Sequence, residues 1–336
     1  MNHELAIDSG STATAPLWNH VPGLTHAESN RPGVTIAPHD NPAADPADAA
    51  KKKLLLQEWL AERSVKSLLT RIKKLPAIPK LHAKIVQELQ SPSGSLEIAS
   101  QYIGQDPVMS AKFLQIVNSA YFGLGYTVTD PGEAVMYLGV ERTRALTLMT
   151  GVFSQFEGLS SAGLYAEEIW RHSLEVGSLA RGIALLETEN AKLAEMAFTT
   201  GLLHDIGKLI LAANVPDKYA DVLRRQSLER MPLRSAEQEV LGTTHSQLGA
   251  CLLATWSLPV PMLEAIAWHH CPSLSRDTGF TVLTAVHAAN ILVRQSTSQA
   301  QQNRSAEGFD SPYLMRVKVA GRQDYWREAC GLKREV

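Results

Sequence analysis

Eleven histidines stand in a chain of 336 residues that has only three cysteines. Six of them, His172, His204, His245, His269, His270 and His287, fall in one stretch, and the nearest earlier one is His82. A neutral imidazole is a common ligand for first-row metals. The sharpest grouping is Gly201-Leu-Leu-His204-Asp205-Ile-Gly-Lys208, set among Leu202, Leu203, Ile206, Leu209 and Ile210. Burying an imidazole, a carboxylate and an ammonium within five residues is costly unless they pair with one another or with an ion. Imidazole and carboxylate suit a divalent metal, and Lys208 could neutralise phosphoryl oxygens. Taken alone, a His-Asp pair reads first as a hydrogen-bonded feature of a helix junction.

The surrounding elements bear on that choice. Hydrophobic periodicity predicts helices over about 140–155, 165–187, 190–213, 217–229, 234–255, 259–270 and 278–293. His172 then falls on one helix, His204-Asp205 within the next, His245 at a later helix start, His269-His270 at a helix end and His287 on the last. One imidazole per successive helix is how a helical bundle builds an inward-facing polar site. Upstream, Asp106-Pro107 and Asp130-Pro131 are helix starts, with an oxygen for an orphan N–H and a proline where no donor is lost. Ser95 is a further cap, and Gly139 is placed to supply a left-handed residue after Leu138. Alternating strand patterns are nearly absent, so the chain reads as all-α.

Composition narrows the classes. A net charge of −2 excludes a chain that is basic throughout, and no basic recognition helix or glycine-rich phosphate loop stands out, so nucleic acid is not an expected partner. Cys251, Cys271 and Cys330 form no CxxC pair. Neither a secretory signal nor a membrane-spanning run is expected, which predicts a cytoplasmic protein.

Residues 1–50 read as a disordered tail, acidic, proline-rich and without periodicity. Residues 51–74 turn basic, and Val65, Leu68, Leu69 and Ile72 make an amphipathic helical face. That helix either docks on its own domain or meets a partner or an anionic membrane surface. The region 75–293 is helical, with a lobe over about 75–155 and a second over about 156–293. Residues 294–336 hold a polar linker and a C-terminal segment, of which 312–330 suit either a last helix or a hairpin. Among other candidates, Cys251 reads as core and Cys271 as a conceivable ligand. Asn118 is expected to bond backbone, and Arg142 and Arg144 to be solvated.

His172…His204-Asp205 resembles the start of the H…HD…D pattern of the HD superfamily of metal-dependent phosphohydrolases. His245-Ser-Gln-Leu-Gly-Ala and His269-His270 look like counterparts in its HD-GYP branch, which acts on cyclic di-GMP. There are two departures. Cys271-Pro-Ser-Leu-Ser stands where that branch has an acid and a DGxGYP loop, and Asn290 stands near the position of the closing aspartate. The upstream segments Leu75-Pro-Ala-Ile-Pro79, Ile103-Gly-Gln-Asp106-Pro107, Asn118-Ser-Ala-Tyr-Phe-Gly123 and Ala134-Val-Met-Tyr-Leu-Gly139 are similar to the HDOD family, as are Trp256-Ser-Leu-Pro259 and Ala265-Ile-Ala-Trp-His269-His270. The resemblance covers about 70–290.

It implies an HD-like helical bundle with an N-terminal helical lobe, in a bacterial signalling protein. The implied partners are signalling proteins of the diguanylate cyclase, phosphodiesterase or response-regulator type. Three functions stay open: a non-catalytic interaction module, a metal-dependent phosphohydrolase acting on a nucleotide second messenger, and a nucleotide or metal sensor without turnover. In the hydrolase, His172, His204, Asp205, His245, His269 and His270 would hold one or two divalent ions (Fe, Mn or Mg), and Asp205 and Lys208 are the candidates for a catalytic part. Asn is a poorer ligand than a carboxylate for a hard cation, which favours the non-catalytic module.

Overall fold

Helix starts follow the capping chemistry of the sequence. In the computed structural model of the protein, Asp106 Oδ1 accepts from Val108 N and Met109 N ahead of Pro107, and Asp130 Oδ1 accepts from Glu133 N ahead of Pro131. Ser95 Oγ caps in the same way. The structure describes residues 76–332 except 120–121, 123, 157–159, 162–163, 257 and 297–307, together with 54, 58 and 72. The expected tail at 1–50, nearly all of the basic helix at 51–74 and most of the polar linker lie outside the described residues.

The first helices are α1 (Lys80–Gln90), α2 (Leu96–Gly104), α3 (Pro107–Val117) and α4 (Pro131–Phe153). Between α3 and α4, Asn118 bonds backbone as expected, donating from Nδ2 to Val128 O and accepting Val128 N at Oδ1, at 2.7 and 2.8 Å. Gly139 interrupts α4 at φ 74°, ψ 177°. The sequence places a left-handed residue here, and φ is indeed positive, but ψ is extended, a region open essentially to glycine alone. The result is a bend inside α4 rather than its end. Arg142, just beyond, is not solvated as expected. Its side chain is only 24% exposed, and its Nε lies 3.7 Å from Glu195, which also accepts from Arg181 Nε at 2.8 Å. Arg144 pairs with Glu141 one turn away.

A two-residue antiparallel pairing, Ser160–Ser161 with Leu164–Tyr165, is the extent of β-structure among the described residues. Then come α5 (Ala166–Thr188), α6 (Ala191–Leu203), α7 (Ile206–Asn214), α8 (Pro216–Leu228), α9 (Leu233–Leu241), α10 (His245–Thr255), α11 (Val260–Trp268) and α12 (Val282–Ser296). Two runs that periodicity reads as continuous are broken. Asp205, at φ −102°, ψ 8°, separates α6 from α7. Gly242, left-handed at φ 72°, ψ 10°, ends α9, and Thr244 and Gln247 then form a capping box that starts α10. Both breaks put histidines at helix ends. The C-terminal segment is neither one helix nor a hairpin but two short helices, α13 (Ser311–Arg316) and α14 (Gln323–Ala329).

One continuous apolar cluster runs from Ile85 through Phe113, Phe198 and Tyr219 to Trp326. Helix α4 packs on α1, α2 and α3 on one side and on α6 on the other, while α5, α6 and α12 pack together. The α5–α6 contact is close because Gly177 and Gly201 face each other: a Cβ at Gly201 would come within 2.6 Å of Gly177 Cα. Among the described residues, no helix is long and apolar enough to cross a membrane.

Candidate metal centre

Five helix ends or faces converge on Asp205. The chain leaves α6 at His204 and enters α7 at Asp205, so both side chains sit at a junction instead of on one regular helix. Helix α5 brings His172, α10 opens on His245, and α11 ends at His269-His270. Asp205 Oδ2 lies 3.4 Å from His204 Nε2, 3.7 Å from His172 Nε2 and 2.5 Å from Lys208 Nζ. Asp205 Oδ1 lies 3.2 Å from His245 Nε2 and 3.8 Å from His269 Nε2. His270 Nε2 is 3.1 Å from His245 Nε2. The ligand atoms therefore form two groups sharing one carboxylate: His172, His204 and Asp205, and Asp205, His245, His269 and His270. All seven residues read from the sequence as site candidates are brought together, Lys208 through its pair with Asp205.

The second nitrogens show what orients three of these imidazoles. His204 Nδ1 faces Gly201 O at 2.7 Å, and His269 Nδ1 faces Ile266 O at 2.8 Å. A carbonyl only accepts, so Nδ1 carries the proton and Nε2 the lone pair in both rings. His245 Nδ1 donates to the buried Glu237 carboxylate at 2.6 Å, the carboxylate–histidine arrangement that orients a metal ligand. His204 Nε2, His269 Nε2 and Asp205 Oδ1 are buried without a hydrogen-bond partner. Such orphans are costly; His204 Nε2 belongs to the first group and His269 Nε2 to the second, with Asp205 shared, so an ion in each group would satisfy them. The residues present fit a divalent ion, with three imidazoles and a carboxylate in the second group. Imidazole and carboxylate together are a common donor set for divalent ions.

Three other candidates fall outside the centre. His287 belongs to its support: Nδ1 donates to His269 O at 2.8 Å, and Nε2 accepts from Asp310 N at 3.1 Å. Cys271 is in neither ligand group. Cys251 is half-buried on α10 and not in the core, where its apolar neighbours in sequence placed it, and burial pushes its thiol up to about 11. Glu237 is the functional residue that sequence reading missed. It lies in the polar run Arg234-Ser-Ala-Glu-Gln-Glu239, where nothing local marks one acid as buried.

Burial by itself would raise the Asp205 carboxyl, but its neighbours His204, Lys208 and His245 hold it well below 3.8. Burial, reinforced by neighbouring cations, lowers His172 to about 3 and pushes His269 and His270 well down. His245 goes the other way: burial opposes its charge, but Glu237 and Asp205 outweigh it and raise it. The unfolded chain protonates its histidines near 6.5, so the three lowered ones contribute stability that is full above pH 6.5 and lost as pH falls. The His245 contribution is full below pH 6.5 and lost as pH rises through its elevated value. Metal-free protein is therefore expected to be most stable somewhat above pH 6.5, where the loss from His245 begins to outweigh the gain from the three lowered histidines. Melting temperatures measured from pH 7 to 5 in chelator should fall, and a flat profile would contradict the neutral cluster.

With this geometry in place, comparison with known proteins identifies the family. A family model described as the HDOD domain matches residues 75–272. The chain belongs to the HDOD family. It is 25% identical over 228 residues to an uncharacterized protein of Treponema pallidum, a match covering 68% of this chain and 44% of that one. It is 27% identical over 190 residues to a Ribonuclease Y of Thermus thermophilus, covering 56% of this chain and 25% of the enzyme. The chain thus spans less than half the length of these curated relatives. The fold matches a crystal structure from Marinobacter aquaeolei VT8, provisionally described as a signal transduction protein. That match has a TM-score of 0.58 at 18% identity and covers 84% of this chain and 63% of that one. The HDOD match includes His172, His204, Asp205, Lys208, His245, His269 and His270, and excludes α12 to α14.

Proposed function

We propose that this HDOD chain is a cytoplasmic bacterial signalling module. It acts by binding signalling proteins of the diguanylate cyclase, phosphodiesterase or response-regulator type, and its histidine centre holds an ion without turning over a substrate. The HDOD lobes over about 75–155 and 156–293 are the interaction unit in this reading, and the basic segment 51–74 adds a contact to a partner or a membrane surface. The observation that carries the non-catalytic part is Asn290. Its Oδ1 lies 3.0 Å from His172 Nε2, so the amide occupies that nitrogen where the HD pattern has an acid. Lys208 Nζ also sits on Asp205 Oδ2, the oxygen of the same group. The His172 group thus has two nitrogens, one shared carboxylate and an ammonium competing for it. The Asp205–His245–His269–His270 group sets three imidazoles beside the same carboxylate.

Protein purified without a histidine tag is expected to hold about one divalent ion per chain by elemental analysis and to leave cyclic di-GMP intact. Asn290→Asp is expected to raise the content towards two, because the new carboxylate completes the His172 group. Turnover by the wild-type chain that is lost in Asp205→Ala would overturn the non-catalytic reading.

One arrangement favours the alternative, a metal-dependent phosphohydrolase acting on a nucleotide second messenger. Asp205 offers one oxygen to each group, as a two-ion site needs, and Lys208 lies alongside. Bound ions would there polarise a phosphoryl oxygen and activate water. In that case Asp205 would hold the ions and Lys208 would neutralise phosphate charge.

A further inference from the structure

We propose that the C-terminal helical pair α13–α14 is a clamp that sets the metal affinity of the histidine centre, an inference that rests on the metal reading above. His269 and His270 are consecutive at the end of α11, and consecutive helical side chains diverge by about 100°. Yet their rings lie only 4.0 Å apart, and both reach the cluster around Asp205 and His245. Such convergence needs the backbone after His270 to be held in one course.

The C-terminal pair supplies the hold. Asp310 caps α13 through Tyr313 N, and the same carboxylate accepts from Ser273 N at 3.0 Å and Ser273 Oγ at 2.7 Å. Arg316 donates from Nη2 to Ser275 O at 2.6 Å and from Nε to Asp277 O at 3.0 Å. These partners all lie in the turn that directly follows the paired histidines. A third link reaches a ligand residue itself: Asp310 N donates to His287 Nε2, and His287 Nδ1 donates to His269 O. The clamp is anchored away from the turn. Tyr313 and Trp326 are fully buried, Tyr313 Oη meets Thr284 Oγ1 at 2.7 Å, and Arg322 and Trp326 both donate to Glu187 Oε1. Residues 310, 316 and 287 act through the backbone of the ligand-bearing segment and are positioning residues.

The test uses full-length, untagged, chelator-treated protein titrated with Co(II), whose visible absorption reports the ligand field. Arg316→Lys keeps the charge but cannot grip two carbonyls as a fork, and His287→Leu removes both hydrogen bonds of the link. Glu187→Gln loosens only the far anchor. Both clamp variants are expected to weaken Co(II) binding about 10–100-fold and to shift the absorption bands. Glu187→Gln should lower the melting temperature and leave the affinity unchanged. Wild-type affinity in Arg316→Lys and His287→Leu would overturn the clamp and leave the metal reading standing. Equal weakening by Glu187→Gln would also overturn it, since affinity would then follow stability alone. If the wild-type chain gives no Co(II) spectrum, the metal reading fails and the clamp with it.

Discussion

Asp205→Ala is expected to abolish metal binding and to cost about 3–5 kcal/mol of folding stability. The two effects share one cause. Asp205 is 1% exposed and is common to both ligand groups, so its removal leaves each with imidazoles alone. It also strips Lys208, itself 7% exposed, of the carboxylate it pairs with. An ammonium left buried without its counter-ion carries most of the cost. Lys208→Met in the Asp205→Ala background should recover a large part of the loss, because the uncompensated charge is then gone. Urea unfolding of the wild type, both single variants and the double variant gives the coupling, and elemental analysis gives the metal. A loss under about 1 kcal/mol for Asp205→Ala would mean that the junction does not depend on the pair.

Gly207→Ala is expected to damage the centre nearly as much while altering no polar atom. A Cβ at Gly207 would lie 1.9 Å from His245 O and 2.7 Å from His245 C, both backbone atoms with no rotamer to yield. Helices α7 and α10 must then separate, and overpacking of this kind costs about 1–3 kcal/mol or more. The separation draws His245 away from Asp205, so metal content should drop with stability. Gly104→Ala is the control, since nothing lies within 4 Å of its added Cβ and its φ is not positive. That change should be neutral to slightly stabilising in thermal melts, as expected for glycine inside a helix. A Gly207→Ala protein with wild-type melting temperature and metal content would refute the close approach.

The residues of the centre were legible because their types are rare in apolar surroundings. His204, Asp205 and Lys208 stand in a run that would otherwise be uniformly hydrophobic, and their chemistry demands partners. The Asp-Pro starts at 106 and 130 were legible because capping is local: one side chain and the next two or three N–H groups decide it. The break between α6 and α7 was not legible, since Leu202 to Ile210 keeps a helical period straight through His204-Asp205. Arg142 was misread for a related reason. Its neighbours in sequence say nothing of Glu195, which α6 brings to it.

The sequence by itself determined the helical class, the family and the side chains that are candidates for holding a metal. Periodicity, caps and residue chemistry act over a few positions and survive without knowledge of the whole. The tertiary structure decided how those side chains divide. It put Asp205 between two ligand groups, set Asn290 on His172, buried Glu237 behind His245 and assigned His287 to support. All but the Glu237–His245 pair, eight residues apart, are contacts between helices far apart along the chain, settled by how their apolar faces pack and by where Gly177, Gly201 and Gly207 let backbones approach. Local rules carry no record of such distances, so the same histidines that the sequence presents as one set become, in the fold, two candidate ligand groups sharing Asp205, with His287 hydrogen-bonded behind one of them.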